Sequence, residues 1–137
     1  MTDDDIIEAL KASELFSDLS VKRLESIREA GREVSFAAGQ DLVVEGDDAG
    51  RFLLIVEGRA EVTVHGVHRT TLGPGGALGE IALIDGGPRS ATVTATTDVR
   101  AFSLASWNFK PFMSEPDVMS AVVGLLCRRL RGAEAHF

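Results

Sequence analysis

The fold is decided by residues 72–93, which read LGPGGALGEIALIDGGPRSATV. Glycines lie at both ends of the short apolar run Ile81–Ile84, which is long enough for one helical turn. A turn that follows a glycine leaves its first backbone N–H groups unpaired, and such groups bind anions. The turn at residues 86–88 brings back Arg89, whose planar guanidinium pairs well with phosphate oxygens. From its residues alone, the segment is either an anion-binding loop or an ordinary solvated loop.

Short segments rich in strand-forming residues surround this loop between Arg32 and about Leu104. We predict strands at Glu33–Phe36, Asp41–Val44, Phe52–Val56, Ala60–His65, His68–Leu72, Ala91–Ala95 and Val99–Leu104. The sequence His65-Gly66-Val67 predicts a hairpin tip, because Gly66 can adopt the positive φ that such tips need. Many short strands joined by glycine-rich turns are typical of an antiparallel sandwich or barrel.

Helices are predicted on both sides of the strands. They are expected from Asp3 to about Ala12, from a Ser20 cap to Gly31, from a Ser106 cap to Phe112, and from Pro116 to about Arg131. The last helix has an apolar stripe formed by Met119, Val122, Leu126 and Leu130. We expect Leu126 and Leu130 to pack in the core, and the single cysteine, Cys127, to be a buried and inert thiol.

Length and composition indicate one domain that spans residues 1–137. The chain is 45% hydrophobic, which is enough for one core. Its net charge of −7 argues against a nucleic-acid surface, which needs clustered cations. The acidic start Met1–Asp5 and the absence of an apolar run of about 18 residues predict a cytoplasmic protein without a membrane segment.

The string Leu78–Leu83, a short glycine-containing turn and then Pro88–Val93 resemble the phosphate-binding cassette of the cyclic-nucleotide-binding domain family. That family includes bacterial catabolite-activator-type regulators, protein kinase A regulatory subunits and cyclic-nucleotide-gated channels. The resemblance extends over essentially the whole chain, through the family's turn signatures at Phe36–Gln40, Glu45–Asp47, Phe52–Gly58 and Leu72–Gly75.

The fold that this resemblance implies is mainly β with flanking helices. Its centre is a β-roll or double-stranded β-helix, a jelly-roll-like barrel, at residues 32–105 with the cassette at 78–91. N-terminal helices lie within residues 1–31. C-terminal helices within residues 106–131 form a lid.

The resemblance also implies which residues bind the ligand: Gly79, Glu80, Ile81, Ala82, Arg89, Ser90 and Ala91. Gly79 lets the backbone approach the nucleotide, and Glu80 accepts a hydrogen bond from the ribose 2′-hydroxyl. Backbone N–H groups near Ile81 and Ala82, with that of Ala91, donate to the cyclic phosphate, whose charge Arg89 neutralises. A carboxylate repels a phosphate, so Glu80 has to face the sugar.

The identity of the nucleotide depends on Ser90 and on the last helix. The family has Ala, Ser or Thr at this position, and a hydroxyl there can contact the phosphate or the 2-amino group of a syn guanine. We favour cAMP over cGMP because bacterial-looking members of the family usually bind cAMP. Family members often cover the purine with an apolar residue, for which Leu126, Leu130 and Phe137 are candidates. Leu78 departs from the family pattern, because Phe is common at this position.

The predicted function is a regulatory sensor whose C-terminal helix signals to a partner protein, a fused domain or a second copy in a homodimer. The alternative is a degenerate fold that binds proteins without a ligand, although Arg89 and Glu80 are both present. We expect no direct DNA binding, because the chain stops at Phe137 without a helix-turn-helix segment. We also expect no metal, other cofactor or cupin-like enzyme activity, because His65 and His68 flank a hairpin tip without a convergent third ligand.

Overall fold

The computed structural model of the protein describes residues 2–47, 50–80, 84 and 88–134, within which β-strands are flanked by helices at both ends. The strands are β1 (Arg32–Phe36), β2 (Asp41–Val43), β3 (Arg51–Glu57), β4 (Ala60–Val64), β5 (Val67–Leu72), β6 (Ala77–Leu78), β7 (Thr92–Ala95) and β8 (Val99–Ala105). The helices are α1 (Asp3–Ala12), α2 (Val21–Ala30), α3 (Ser106–Phe109) and α4 (Pro116–Glu134), with a 3₁₀ helix at Lys110–Ser114 between α3 and α4.

The strands form two four-stranded antiparallel sheets, with the orders β1-β8-β3-β6 and β2-β7-β4-β5. Buried side chains from both sheets, including Leu53 of β3 and Val93 of β7, share one apolar cluster between them. This arrangement confirms the predicted jelly-roll-like barrel with flanking helices. The predicted strands agree with those of the structure to within one residue at each end.

β3 explains why the helices pack where they do. Its residues 52–56 are all buried, because its two faces meet two different cores. Leu53 lies in the core between the sheets, whereas Phe52 and Leu54 lie in the core beneath the helices. There the ring of Phe16 is 5.5 Å from that of Phe52 and 6.1 Å from that of Phe109, both edge to face.

The ends of the N-terminal helices are fixed by local hydrogen bonds that the sequence encodes. The Ser20 side chain accepts a hydrogen bond from the Arg23 N–H at 3.2 Å, which confirms the predicted cap of α2. Thr2 and Asp5 form a reciprocal capping box at the start of α1. Each helix then buries one apolar face, with Leu10 of α1 and Leu24 of α2 fully inaccessible.

A short strand that was not predicted, β6, determines where the glycine-rich loop begins. Ala77 and Leu78 pair with Leu54 and Leu53 of β3, so β6 belongs to the first sheet. The next strand in the described residues is β7, which belongs to the second sheet. The chain therefore passes from the first sheet to the second between Leu78 and Thr92, and the described residues Gly79, Glu80 and Pro88–Ala91 lie at the opening between the sheets.

The predicted packing of α4 is confirmed for Val122 but wrong for Leu126 and Leu130. Its buried residues are Val118, Val122 and Leu125, whereas Leu126 and Leu130 are 41% and 63% exposed. Helical neighbours are about 100° apart, so a one-residue change of phase moves a side chain from the core to the solvent. Cys127 follows Leu126 and is also exposed, which corrects the expectation of a buried thiol.

Two predicted turn residues also differ from expectation. Ser106 does not cap α3, because the N-cap is Ala105 and no side chain there forms a capping hydrogen bond. The hairpin tip consists of His65 and Gly66, which have φ of 51° and 78°, while Val67 already belongs to β5.

In the described part of the chain, no helix has both the length and the hydropathy to span a membrane.

Candidate functional site

A cavity of about 580 Å³ opens between the two sheets, where β6 ends and β7 begins. Its apolar wall is formed by barrel residues such as Val62 and Val93, and its polar residues come from the glycine-rich loop and from α4. The predicted site residues that line the cavity are Gly79, Glu80, Arg89, Ser90 and Ala91, and Arg129 of α4 also lines it. Its volume is in the range typical of small-molecule sites.

Arg89 is held on both its main chain and its side chain. Its N–H donates to the carbonyl of Asp47 and its own carbonyl accepts from the N–H of Gly46, both at 2.9 Å. Its Nη2 donates to the backbone carbonyl of Arg51. Only 8% of Arg89 is exposed. A guanidinium fixed in this way at the cavity wall attracts an anion.

The pKa of Arg89 is lowered from its usual value, first by burial and then by the neighbouring positive charge of Arg51. Arginine nevertheless stays protonated in proteins. Both effects penalise the charged form, so an anion that enters the cavity relieves an unfavourable electrostatic environment.

Gly79 stands directly against this guanidinium. Its φ is 83°, a left-handed conformation that side chains rarely adopt. A Cβ at this position would overlap Nη1 of Arg89 and lie 3.3 Å from the carbonyl oxygen of Arg51. The glycine is therefore required for both the turn and the position of Arg89.

Glu80 is the carboxylate of the cavity, and its side chain is 10% exposed. Its Oε1 accepts a hydrogen bond from Nη2 of Arg129 at 3.2 Å. Its Oε2 is buried and has no hydrogen bond of normal geometry to any described residue, although the nearby Leu15 N–H favours its charge. Burial raises the pKa of Glu80, an effect that Arg129 opposes and Glu14 reinforces.

Arg129 is a residue of this cavity that the sequence analysis missed. The same Nη2 that contacts Glu80 lies 3.3 Å from Oε2 of Glu14, in the segment after α1. Neighbouring Arg128 also reaches Glu14, at 3.4 Å. The end of α4 is thus tied to the cavity and to the N-terminal helical segment. Nothing local in the sequence reveals partners that are so distant along the chain.

The remaining predicted site residues fall into three groups. Ser90 and Ala91 line the cavity, and Ser90 is exposed to solvent. Ile81, Ala82 and Phe137 lie outside the described residues. Leu126 and Leu130 are on α4 but do not line the cavity, so the base contact assigned to them stays a prediction.

Residues 33–115 match the cyclic nucleotide-binding domain family, which is more than half of the chain. The chain belongs to the cyclic nucleotide-binding domain family. The family confirms the fold and the resemblance inferred from the cassette.

Three solved structures show what the domain is similar to. The N-terminal domain of a transcriptional regulator from Streptomyces coelicolor A3(2) is 30% identical with a TM-score of 0.83, and the match covers 91% of this chain and 94% of that one. The regulatory domain of Toxoplasma gondii PKA, in a co-crystal structure with cAMP, is 30% identical with a TM-score of 0.71 over 79% of this chain and 43% of that one. The catabolite activator protein of Thermus thermophilus is 26% identical with a TM-score of 0.76 over 90% and 61%.

The match therefore spans less than two thirds of the Toxoplasma and Thermus chains. This chain shares with these proteins a regulatory, ligand-binding module. Among the described residues, no group of three or more His, Cys, Asp and Glu side chains is arranged to hold a metal ion.

Proposed function

We propose that this domain is a cytoplasmic cAMP sensor. The proposal rests on one observation: a buried guanidinium, Arg89, and a buried carboxylate, Glu80, line the same cavity. A cyclic nucleotide presents an anionic phosphate and a ribose hydroxyl, which are the groups that these two side chains bind.

Electrostatics determine how the nucleotide is oriented. The phosphate belongs near Arg89, where Gly79 allows a close approach, with the Ala91 N–H as a further donor. The ribose 2′-hydroxyl belongs at Glu80, because a carboxylate accepts a hydroxyl proton but repels a phosphate. Oε2 of Glu80 suits this role, since it is buried and accepts no hydrogen bond of normal geometry from the described residues. The donors assigned near Ile81 and Ala82 remain part of the proposal.

The preference for cAMP is the less constrained part of the proposal. It is supported by the Toxoplasma PKA regulatory domain, a relative 30% identical to this chain whose structure contains cAMP. Ser90 lines the cavity and its hydroxyl also suits cGMP through the guanine 2-amino group. Both nucleotides therefore have to be compared in the same assay.

The signal is proposed to leave through α4. Arg129 connects that helix to Glu80, so a ribose that engages Glu80 changes the contact that holds the end of α4. Ligand shifts the position of the helix only if it binds one position more tightly than the other. The outer face of α4 carries the exposed side chains of Met119, Val123, Leu126 and Leu130. This apolar surface fits contact with a partner protein or with α4 of a second copy.

Isothermal titration with cAMP and cGMP tests the binding step. We expect both to bind, cAMP more tightly, and Arg89→Ala to weaken binding by at least about tenfold, since hydrogen bonds to charged groups contribute about 1.5–3 kcal/mol. Arg69→Ala is the matched control, because Arg69 is an exposed arginine of β5 that does not line the cavity. If neither nucleotide produces heat with the folded protein, the sensor proposal is wrong and the alternative of a ligand-independent interaction domain replaces it.

A further inference from the structure

A second cleft, of about 550 Å³, lies where the end of α2 and the starts of β1, β3 and α3 come together. It shares no lining residue with the nucleotide cavity. Arg32, Arg51, Trp107 and Asn108 are its large polar and aromatic side chains, and small residues such as Gly31 and Gly50 form the rest of its lining. None of these residues has a role in the proposed nucleotide binding through its side chain.

Both arginine side chains of the cleft lack an ion pair to any described residue. Arg23, Arg28, Arg128 and Arg129 pair with carboxylates, whereas the side chains of the cleft include two arginines and no carboxylate. The next residue, Glu33, points to the opposite face of β1 from Arg32 because side chains alternate along a strand. In a chain of net charge −7, the cleft is thus a local positive site.

Trp107 stands at this positive site with 69% of its surface exposed. Its exposure follows from α3, whose other aromatic residue, Phe109, is completely buried in the core and fixes the orientation of the short helix. Tryptophan and arginine are the residues most enriched among those that dominate binding energy at protein interfaces. An exposed indole that lines the same cleft as two arginines with no ion pair among the described residues is therefore a surface suited to a partner.

We propose that this cleft binds an acidic segment of a partner protein, with carboxylates on Arg32 and Arg51 and an apolar side chain against Trp107. Charge complementarity requires an anionic partner. An extended peptide fits better than a free nucleotide because β1 is an edge strand that, in the described residues, pairs only with β8. A peptide in the cleft can continue along that edge by strand addition, starting at Arg32.

Fluorescence anisotropy with two labelled peptides tests this proposal without any nucleotide. The probe is fluorescein-labelled Glu-Glu-Leu-Glu-Glu-Phe, and the neutral control has glutamine in place of each glutamate. We expect the acidic peptide to bind at least about tenfold more tightly than the neutral one, and less tightly as salt is added. Arg32→Glu, Arg51→Glu and Trp107→Ala should each weaken its binding by about tenfold or more.

The control variant is Arg69→Glu, which makes the same change of charge on β5, away from the cleft. Circular dichroism confirms that each variant is folded before binding is measured. Equal binding of the two peptides, or an equal loss in Arg69→Glu and Arg32→Glu, overturns the proposal because either result indicates only nonspecific attraction. Adenosine 5′-monophosphate is titrated in parallel. If it alone binds, and Trp107→Ala abolishes that binding, the cleft is a nucleotide site and not a peptide site.

Discussion

Gly79 and Arg89 are in direct contact, and the guanidinium of Arg89 occupies the space that a Cβ at position 79 would need. The same guanidinium donates to the carbonyl of Arg51 at the start of β3. The side chain of Arg89 therefore packs directly against the backbone of Gly79. Through this contact the conformation of Gly79 determines the position of Arg89, the residue that we propose binds the phosphate.

Gly79→Ala should consequently weaken cAMP binding by at least about tenfold, because the new methyl group displaces Arg89. It should also destabilise the fold by about 1–2 kcal/mol, since φ of 83° is unfavourable for alanine. Gly66→Ala is the matched control: its φ is 78°, but no atom lies within 4 Å of its added Cβ. Urea unfolding should show a loss of stability in both variants, larger in Gly79→Ala because Arg89 is displaced, and titration calorimetry should show a loss of binding only in Gly79→Ala.

Glu80 should make the stability of the nucleotide-free protein depend on pH in an unusual direction. Burial raises its pKa above the usual 4.5, so the native state binds more protons than the unfolded state between these two values. Compared with Glu80→Gln, wild-type protein should therefore lose free energy of unfolding as the pH rises from 4.5 through the raised pKa. Urea unfolding of both proteins across this range measures the difference.

A second variant checks the cause of that pH dependence. Arg129→Ala removes the cation that opposes the rise in the pKa of Glu80. In this variant, the loss of free energy of unfolding with rising pH should therefore extend to higher pH than in wild type. If the free energy of unfolding of wild type instead rises relative to that of Glu80→Gln as the pH increases, the assignment is wrong, because the pKa of Glu80 is then lowered in the folded protein.

The sequence predicted those features that depend on local chemistry. Ser20 caps α2 because its hydroxyl is next to the free N–H groups of the first turn. Arg89 was expected at an anion-binding loop because the turn at residues 86–88 returns its guanidinium, whereas Gly79 was assigned only through the family resemblance. The strands were located by β-rich runs between glycines. The two-residue strand β6 is too short to produce such a pattern.

Features that depend on distant contacts were not predicted. Arg129 meets Glu14, which is 115 residues away in sequence, and no local pattern indicates such a pair. The orientation of α4 was predicted wrongly because the helix has two apolar lines, one formed by Val118, Val122 and Leu125 and the other by Met119, Val123, Leu126 and Leu130. Only the packing against Phe109 and the rest of the core decides which line is buried.

Arg129 should transmit nucleotide binding to α4. In wild-type protein, cAMP should change hydrogen exchange of the backbone amides in residues 118–130, because Glu80 loses or alters its contact with Arg129. In Arg129→Ala the change should be reduced to roughly half or less at saturating cAMP. Arg131→Ala, an exposed arginine two positions further along α4, should behave like wild type. Identical exchange with and without cAMP in the wild-type protein would show that α4 does not respond.

The exposed line Met119, Val123, Leu126 and Leu130 should allow two copies of α4 to associate. Its spacing of four, three and four residues is that of a coiled-coil seam, and all four side chains are between 39% and 63% exposed. Leu126→Glu should raise the dimer dissociation constant by more than about tenfold, because symmetry places both new charges in one apolar interface. Val67→Glu, at an apolar residue 58% exposed on β5, should leave it unchanged. Analytical ultracentrifugation over a range of concentrations measures the constant, and a wild-type protein that stays monomeric throughout would refute the association.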